Sequence, residues 1–412
     1  MLSAETSPHI RISVEEADAI VRAHVRPMGP EVCDLSAAAG RVLREEVRAD
    51  RELPPFDRVT MDGIAISFDA YEAGCRRFPI EATQPAGAPP LSLVESRSCI
   101  EVMTGASLPK LTDCVIPVEE LRVAEGVAEI ADEFETIRFA NTHRRGTDYP
   151  SGTILLYSNQ RLAPAHVAVC ASVGRSNITV AALPRIVVVA TGDELVPVNS
   201  QPLAHQIRIS NSFEIAAVLS RHDYPASAQY HVRDDMQVMM KTFEKLLDAS
   251  DVVVLSGGVS AGKFDMVPAV LGKLGVARRF HRVTQRPGLP LWFGSGPRGQ
   301  AVFALPGNPV STLVSTRRYV IPYLDACAGV EEKPQHAALA EEVEFAPNLT
   351  YFLPVSVRSD PETGRLLASP RPVHSSGDFA RLIESDGFVE LPAGQDRFPA
   401  GSAWRYYAWS RQ

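Results

Sequence analysis

The stretch VVVLSGGVSAGKFDM, from Val252 to Met266, concentrates residues whose types and spacing suit anion chemistry. An apolar run leads into Gly257 and, after four intervening residues, into Gly262 and Lys263, the G-x-x-x-x-G-K spacing of a phosphate-binding loop. That loop requires a Ser or Thr next, whose hydroxyl holds magnesium, and Phe264 stands there instead. A nucleotide-hydrolysis loop is therefore set aside in favour of a glycine-lined anion cradle. In such a cradle Gly257 and Gly258 let backbone N–H groups approach the anion, Ser260 donates a further hydrogen bond, and Asp265 places a carboxylate beside it. Three more polar runs follow apolar ones in the same way: TGDEL (191–195), RDD (233–235) and LPGNPVS (305–311). In the last, Gly307, Asn308 and Pro309 read as a helix start, where free N–H groups and the helix dipole favour phosphate. Glu194, Asp234 and Asp265 are carboxylates at strand ends that could hold a hard cation such as Mg2+. Taken singly, a glycine pair is a turn and an aspartate at a strand end is a helix cap. Their joint occurrence at one edge of one sheet is what points to a site.

That edge depends on the elements behind it. From Pro184 the chain alternates apolar strand-like runs (RIVVVA, SAQYHV, VVVLS, AVFAL) with amphipathic helical ones (NSFEIAAVLSRH, MQVMMKTFEKLLDAS, MVPAVLGKLG). This alternation predicts a doubly wound parallel sheet over 184–330, with ligands bound beyond the carboxyl ends of its strands. Ahead of it, Ser13 and Glu16 form a capping box before the stripe Val14, Ala17, Ile20, Val21, Val25, and DLSAAAGRVLREEV reads as a second helix. Between Arg51 and Pro150 short β-type runs separated by Pro, Gly and Asn predict an all-β module. The helical run RLAPAHVAVCASVG follows, so the β module reads as an insertion within one helical domain. Beyond Glu331 short strands return, as a small β-barrel or sandwich. The expected division is a helical domain (1–50 and 150–183), an inserted β domain (51–149), an α/β domain (184–330) and a C-terminal β domain (331–412).

Composition narrows the class. The chain has 412 residues, enough for two to four domains, and its 45% apolar and 22% charged content suits buried cores. A formal charge of −8 argues against nucleic acid and against an anionic membrane surface as partners. No apolar run approaches the ~20 residues of a membrane span, and the first residues lack a secretory core. Six cysteines without a C-x-x-C pair read as reduced thiols, so a cytoplasmic protein is expected.

The motifs LPPFDRVTMDGIA, IEVMTGASLP, RRGTDYPSG, VATGDEL, LSGGVSAGKFD, QRPG and LPGNPVS resemble, in this order and spacing, the molybdopterin molybdenumtransferases, which include the E domain of gephyrin. The resemblance runs from about Ile12 to the last strands. It implies an elongated homodimer with a helical domain, an inserted β domain, an α/β molybdopterin-binding domain and a C-terminal β-barrel. It implies adenylylated molybdopterin and molybdate as substrates, with Mg2+ assisting adenylate cleavage, and contact with other proteins of molybdenum cofactor biosynthesis. By this resemblance Asp62, Thr104 and Asp148 of the inserted domain face the cleft of the partner subunit. Glu194, Asp234 and Asp265 act on magnesium or the adenylate. Gly257, Gly258, Ser260, Gly307, Asn308 and Ser311 hold ligand phosphates; Arg282 and Arg286 take two positions commonly filled by Lys; and Ser376 matches a serine that helps to bind the oxyanion. Three positions depart from the pattern: Ile64 replaces a Tyr, Leu289 a Lys, and Pro354 stands close to the place of an expected Arg. The alternative reading is a paralogue that binds molybdopterin or serves as a scaffold, or that prefers tungstate.

Overall fold

The structure, a computed structural model, describes residues 11–259, 266–375 and 377–411. The chain divides into two compact units, the larger formed by residues 1–32, 40–44 and 179–412 and the smaller by 33–39 and 45–178.

The larger unit is built on a six-stranded sheet in the order Ala228–Val232, Ile186–Thr191, Val252–Ser256, Ala301–Leu305, Trp292–Ser295, Ala277–His281. The first four strands are parallel, as the alternation predicts. Trp292–Ser295 pairs antiparallel with both of its neighbours, so one strand runs against the expected parallel sheet. Successive residues of each central strand enter different cores. Ile186, Val188, Val254 and Phe303 face one layer with Ile215 and Leu219, while Val187, Val189, Val253 and Val302 face the other with Phe243 and Leu246. Burial on both faces is why these strands read as unbroken apolar runs.

The N-terminal helix Val14–Ala23 keeps its Ser13–Glu16 capping box, and Val14, Ala17 and Val21 join the core of this same unit. At the other end of the unit, strands 335–339, 366–370, 350–359, 387–391 and 403–408 pair in a closed ring, which is a β-barrel. Gln285–Arg286 adds to strand Thr350–Ser359 in parallel register, so the segment between the sheet strands 277–281 and 292–295 is tied to the barrel.

The smaller unit contains a six-stranded sheet in the order Cys114–Pro117, Gly63–Ile66, Cys99–Val102, Arg77–Gln84, Val127–Ile130, Leu121–Ala124, and the helix Pro164–Ser172. The expected second helix is absent. Asp34 accepts from Ser36 N and starts only a short 3-10 turn over Leu35–Ala37, Gly40 follows at φ 79°, and Val47–Arg48 is a strand. Ala-rich composition favours a helix, but the Asp34 turn and the glycine stop it before one forms. All six cysteines are free thiols. Among the described residues no helix is long and apolar enough to cross a membrane.

Candidate active site

The strand order reverses direction between Ile186–Thr191 and Val252–Ser256, and at such a switch point the carboxyl ends of the strands open a crevice. A cleft of about 790 Å³ lies there, floored by Thr191–Gly192, Ser256–Gly258 and Pro306–Pro309. Its far wall comes from the barrel, through Tyr351, Pro354, His374 and Ser375.

Gly257 and Gly258 have φ of 99° and 67°, where a side chain is strained. A Cβ on Gly257 would stand 2.6 Å from Thr191 O, and one on Gly258 would stand 2.6 Å from Val267 Cγ2. The pair therefore has to be glycine for the backbone to turn close under the cleft. Asn308 is the N-cap of the helix Pro309–Ser315, and Pro309 occupies the first turn, where its missing N–H costs nothing. Ser311, two residues on, lines the cleft and is buried.

The side chain of Asn211 stitches these two loops together. Its Nδ2 donates to Ser256 Oγ (2.8 Å) and to Gly307 O (2.8 Å), one partner in each loop. In the sequence Asn211 stands only at the beginning of a helical run. A polar amide at the cleft end of that helix was the one signal available.

Glu194 and Asp234 both line the cleft. Gly192, at φ 145°, makes room for the Glu194 carboxylate, whose Oε2 lies 2.6 Å from where a Cβ would stand. Asp193 accepts from Asp234 N (3.3 Å) and pairs with Arg233 (3.2 Å), which draws the RDD segment toward the end of strand Ile186–Thr191. Among the described residues no group of three acidic, His or Cys side chains forms a ready metal cage. Ser260, Asp265 and Ser376 lie outside the described residues.

Two arginines line the cleft, Arg208 and, in the segment 285–290, Arg286. The Arg286 guanidinium lies 5.8 Å from the Phe345 ring centroid, and Phe345 stacks on Tyr351 at 4.2 Å. Burial pushes the Tyr351 phenol up, and the Arg286 charge opposes that shift. Leu289 and Pro354 also line the cleft. Arg282 does not: it sits at φ 75° with its N–H on Leu291 O, outside the lining residues.

Asp62, Thr104 and Asp148 belong to the smaller unit. Asp62 Oδ1 accepts from Thr104 N (2.7 Å) and from Thr104 Oγ1 (2.8 Å), and these two bonds hold the exposed carboxyl below the usual carboxylate range. Asp148 pairs with His143 Nε2 at 2.9 Å.

Three comparisons bear on this arrangement. Residues 12–174 match the MoeA N-terminal region (domain I and II), 187–326 a probable molybdopterin binding domain, and 336–409 the MoeA C-terminal region (domain IV). A molybdopterin molybdenumtransferase of Synechocystis sp. is 38% identical over 97% of this chain and 100% of its own length. One of Synechococcus elongatus is 33% identical over 91% of this chain and 94% of its own. Among solved structures, a molybdopterin biosynthesis MoeA protein of Pyrococcus horikosii superimposes with a TM-score of 0.77, at 27% identity, covering 98% of this chain and all of that one.

Proposed function

We propose, for a chain that belongs to the molybdopterin molybdenumtransferases and serves molybdenum insertion in cofactor biosynthesis, that the cleft takes adenylylated molybdopterin and molybdate, cleaves the adenylate with Mg2+, and leaves molybdenum on the pterin dithiolene. The observation that carries this reading is the convergence on one cleft of two glycine-containing N–H loops, at 257–258 and 307–311, with two carboxylates, Glu194 and Asp234. Backbone donors suit the phosphate groups, and the carboxylates suit the cation that a phosphoanhydride needs. Mg2+ is commonly bound by one or two carboxylates together with substrate phosphates, so the absence of a three-acid cage among the described residues fits it. In this reading Glu194 and Asp234 hold Mg2+, with Asp265 as the third carboxylate, and Asp62, Thr104 and Asp148 come from the partner of a homodimer.

The oxyanion is the open point of specificity, because apolar Leu289 and Pro354 line the cleft where the family resemblance calls for basic side chains. This supports tungstate as a second substrate to be compared with molybdate. The deciding experiment incubates the protein with adenylylated molybdopterin, Mg2+ and either oxyanion, and follows AMP and metal-loaded cofactor together. AMP release coupled to metal loading is expected. Binding of the adenylylated pterin with neither product would instead establish a paralogue that only holds it.

A further inference from the structure

The helix that starts at the cleft with Pro309–Ser315 is interrupted by a π turn over Thr316–Val320 before continuing as Ile321–Cys327. Such turns are rare and are frequent at functional sites. Here three consecutive side chains, Arg317, Arg318 and Tyr319, are all buried. Each reaches a different segment of the larger unit. Arg317 Nε donates to Ala408 O (2.6 Å), and Arg318 makes a two-pronged pair with Asp18 (2.7 and 2.9 Å) and binds Glu390 Oε2 (2.9 Å). The Tyr319 hydroxyl donates to Gln285 Oε1.

Gln285 is itself buried, and it passes the contact on. Its Nε2 donates to Pro287 O (3.1 Å) and Gly288 O (3.2 Å), the carbonyls of the loop that carries Arg286 and Leu289 along the cleft. Gly288, at φ 90°, brings that loop so close that a Cβ would stand 2.7 Å from Gln285 Nε2 and 2.9 Å from Ser315 Oγ. The helix whose first turn forms one wall of the cleft thus also anchors the basic loop of another.

We propose that Tyr319 and Gln285 are a positioning pair that aims Arg286 at the oxyanion, and so set how much molybdate the enzyme needs without acting on adenylate cleavage. This rests on the functional reading above. Without the Tyr319 hydroxyl, Gln285 Oε1 loses its buried donor and the amide is free to turn, which releases both loop carbonyls. Arg286 is exposed and its guanidinium lies 5.8 Å from the Phe345 ring centroid, so the backbone of its loop has a large share in its direction.

The test compares Tyr319→Phe, the double variant Tyr319→Phe with Gln285→Met, and wild type. Tyr319→Phe is expected to raise the molybdate concentration for half-maximal insertion about tenfold, the loss that follows when a charge-assisted donor is misaimed. The maximal insertion rate and AMP release without molybdate should stay unchanged. The double variant also takes the Gln285 donor from Pro287 O and Gly288 O, so its melting temperature should fall below that of Tyr319→Phe and its molybdate requirement should rise at least as far. A molybdate requirement that stays at the wild-type value in either variant, while the melting temperature falls, overturns the proposal and leaves the pair a packing contact. A wild-type protein that shows no molybdate-dependent insertion overturns the functional reading itself, and this inference with it.

Discussion

Leu289 is one of two apolar residues, with Pro354, that line the cleft where the family resemblance implies basic side chains. A tetrahedral dianion is held by charge-assisted donors worth roughly 1.5–3 kcal/mol each, so a missing lysine weakens its binding by about one to two powers of ten. Leu289→Lys should therefore lower the molybdate concentration for half-maximal insertion by that factor, with AMP release in the absence of molybdate unchanged. Arg286→Ala should do the reverse. An insertion assay across a molybdate series decides it, and an unmoved half-saturation point for Leu289→Lys would place the oxyanion away from this loop. Single residues of the cleft were legible in the sequence where their chemistry is local. Gly257, Gly258, Glu194, Asp234, Gly307, Asn308 and Ser311 each announce themselves by type and by position after an apolar run, and all line the cleft. Asn211 and Gln285 were not legible. Each works through a buried or half-buried amide bonded to loops remote in sequence, and no spacing encodes such a contact.

Elements carry a second layer of information, and adjacent acidic residues of the RDD segment separate it from the first. Asp235 is the N-cap of the helix Met236–Ala249, where its Oδ1 accepts from Gln237 N (2.9 Å) and Val238 N (2.8 Å), whereas its neighbour Asp234 lines the cleft. Asp235→Ala should cost about 1 kcal/mol of stability through the lost cap and spare AMP release. Asp234→Ala should abolish AMP release and leave the urea midpoint close to wild type. Unfolding curves and AMP assays on the two variants would expose a swapped assignment at once. Element type was readable where one period dominated, as in the four parallel strands and the Ser13-capped helix. It failed where tertiary pairing overrode local preference. Strands Ala277–His281 and Trp292–Ser295 are short and lie either side of the proline-rich loop, so nothing in their own residues marks them as an antiparallel edge. The π turn is equally silent, since its Arg-Arg-Tyr triplet looks like the solvent face of an ordinary helix until its own burial is known.

At the scale of the whole molecule, the sequence shows that the N-terminal helix has an apolar face but not which layer receives it. Only the structure assigns Val14, Ala17 and Val21 to the α/β core. The expected homodimer belongs to this scale too. Light scattering at micromolar concentration should give twice the chain mass. If Asp62 serves the cleft of the partner, a mixture of inactive Asp62→Ala and Asp234→Ala subunits should regain AMP release by pairing, and a mixture that stays inactive would place both residues in one subunit's site. The last prediction concerns acid. His222 is fully buried, its Nε2–H donating to Trp409 O (3.3 Å) beside Arg317, Arg411 and Asp325, a knot that fastens the end of the chain to the α/β layer. Burial, reinforced by the two arginines, pushes its pKa from 6.5 to about 3. A depressed folded-state pKa contributes stability that is fully present above the unfolded value of 6.5 and is lost as pH falls toward 3, because the unfolded chain takes up the proton first. Going from pH 7 to pH 5 should thus cost about 2 kcal/mol at this one site, at 1.36 kcal/mol for each pH unit below 6.5. His222→Gln keeps a donor for the Trp409 carbonyl and has nothing to titrate. Urea unfolding at the two pH values should therefore show a smaller acid loss in the variant than in wild type by that amount. Parallel losses in both proteins would mean that His222 already carries its proton in the folded state, with its charge accommodated by Asp325.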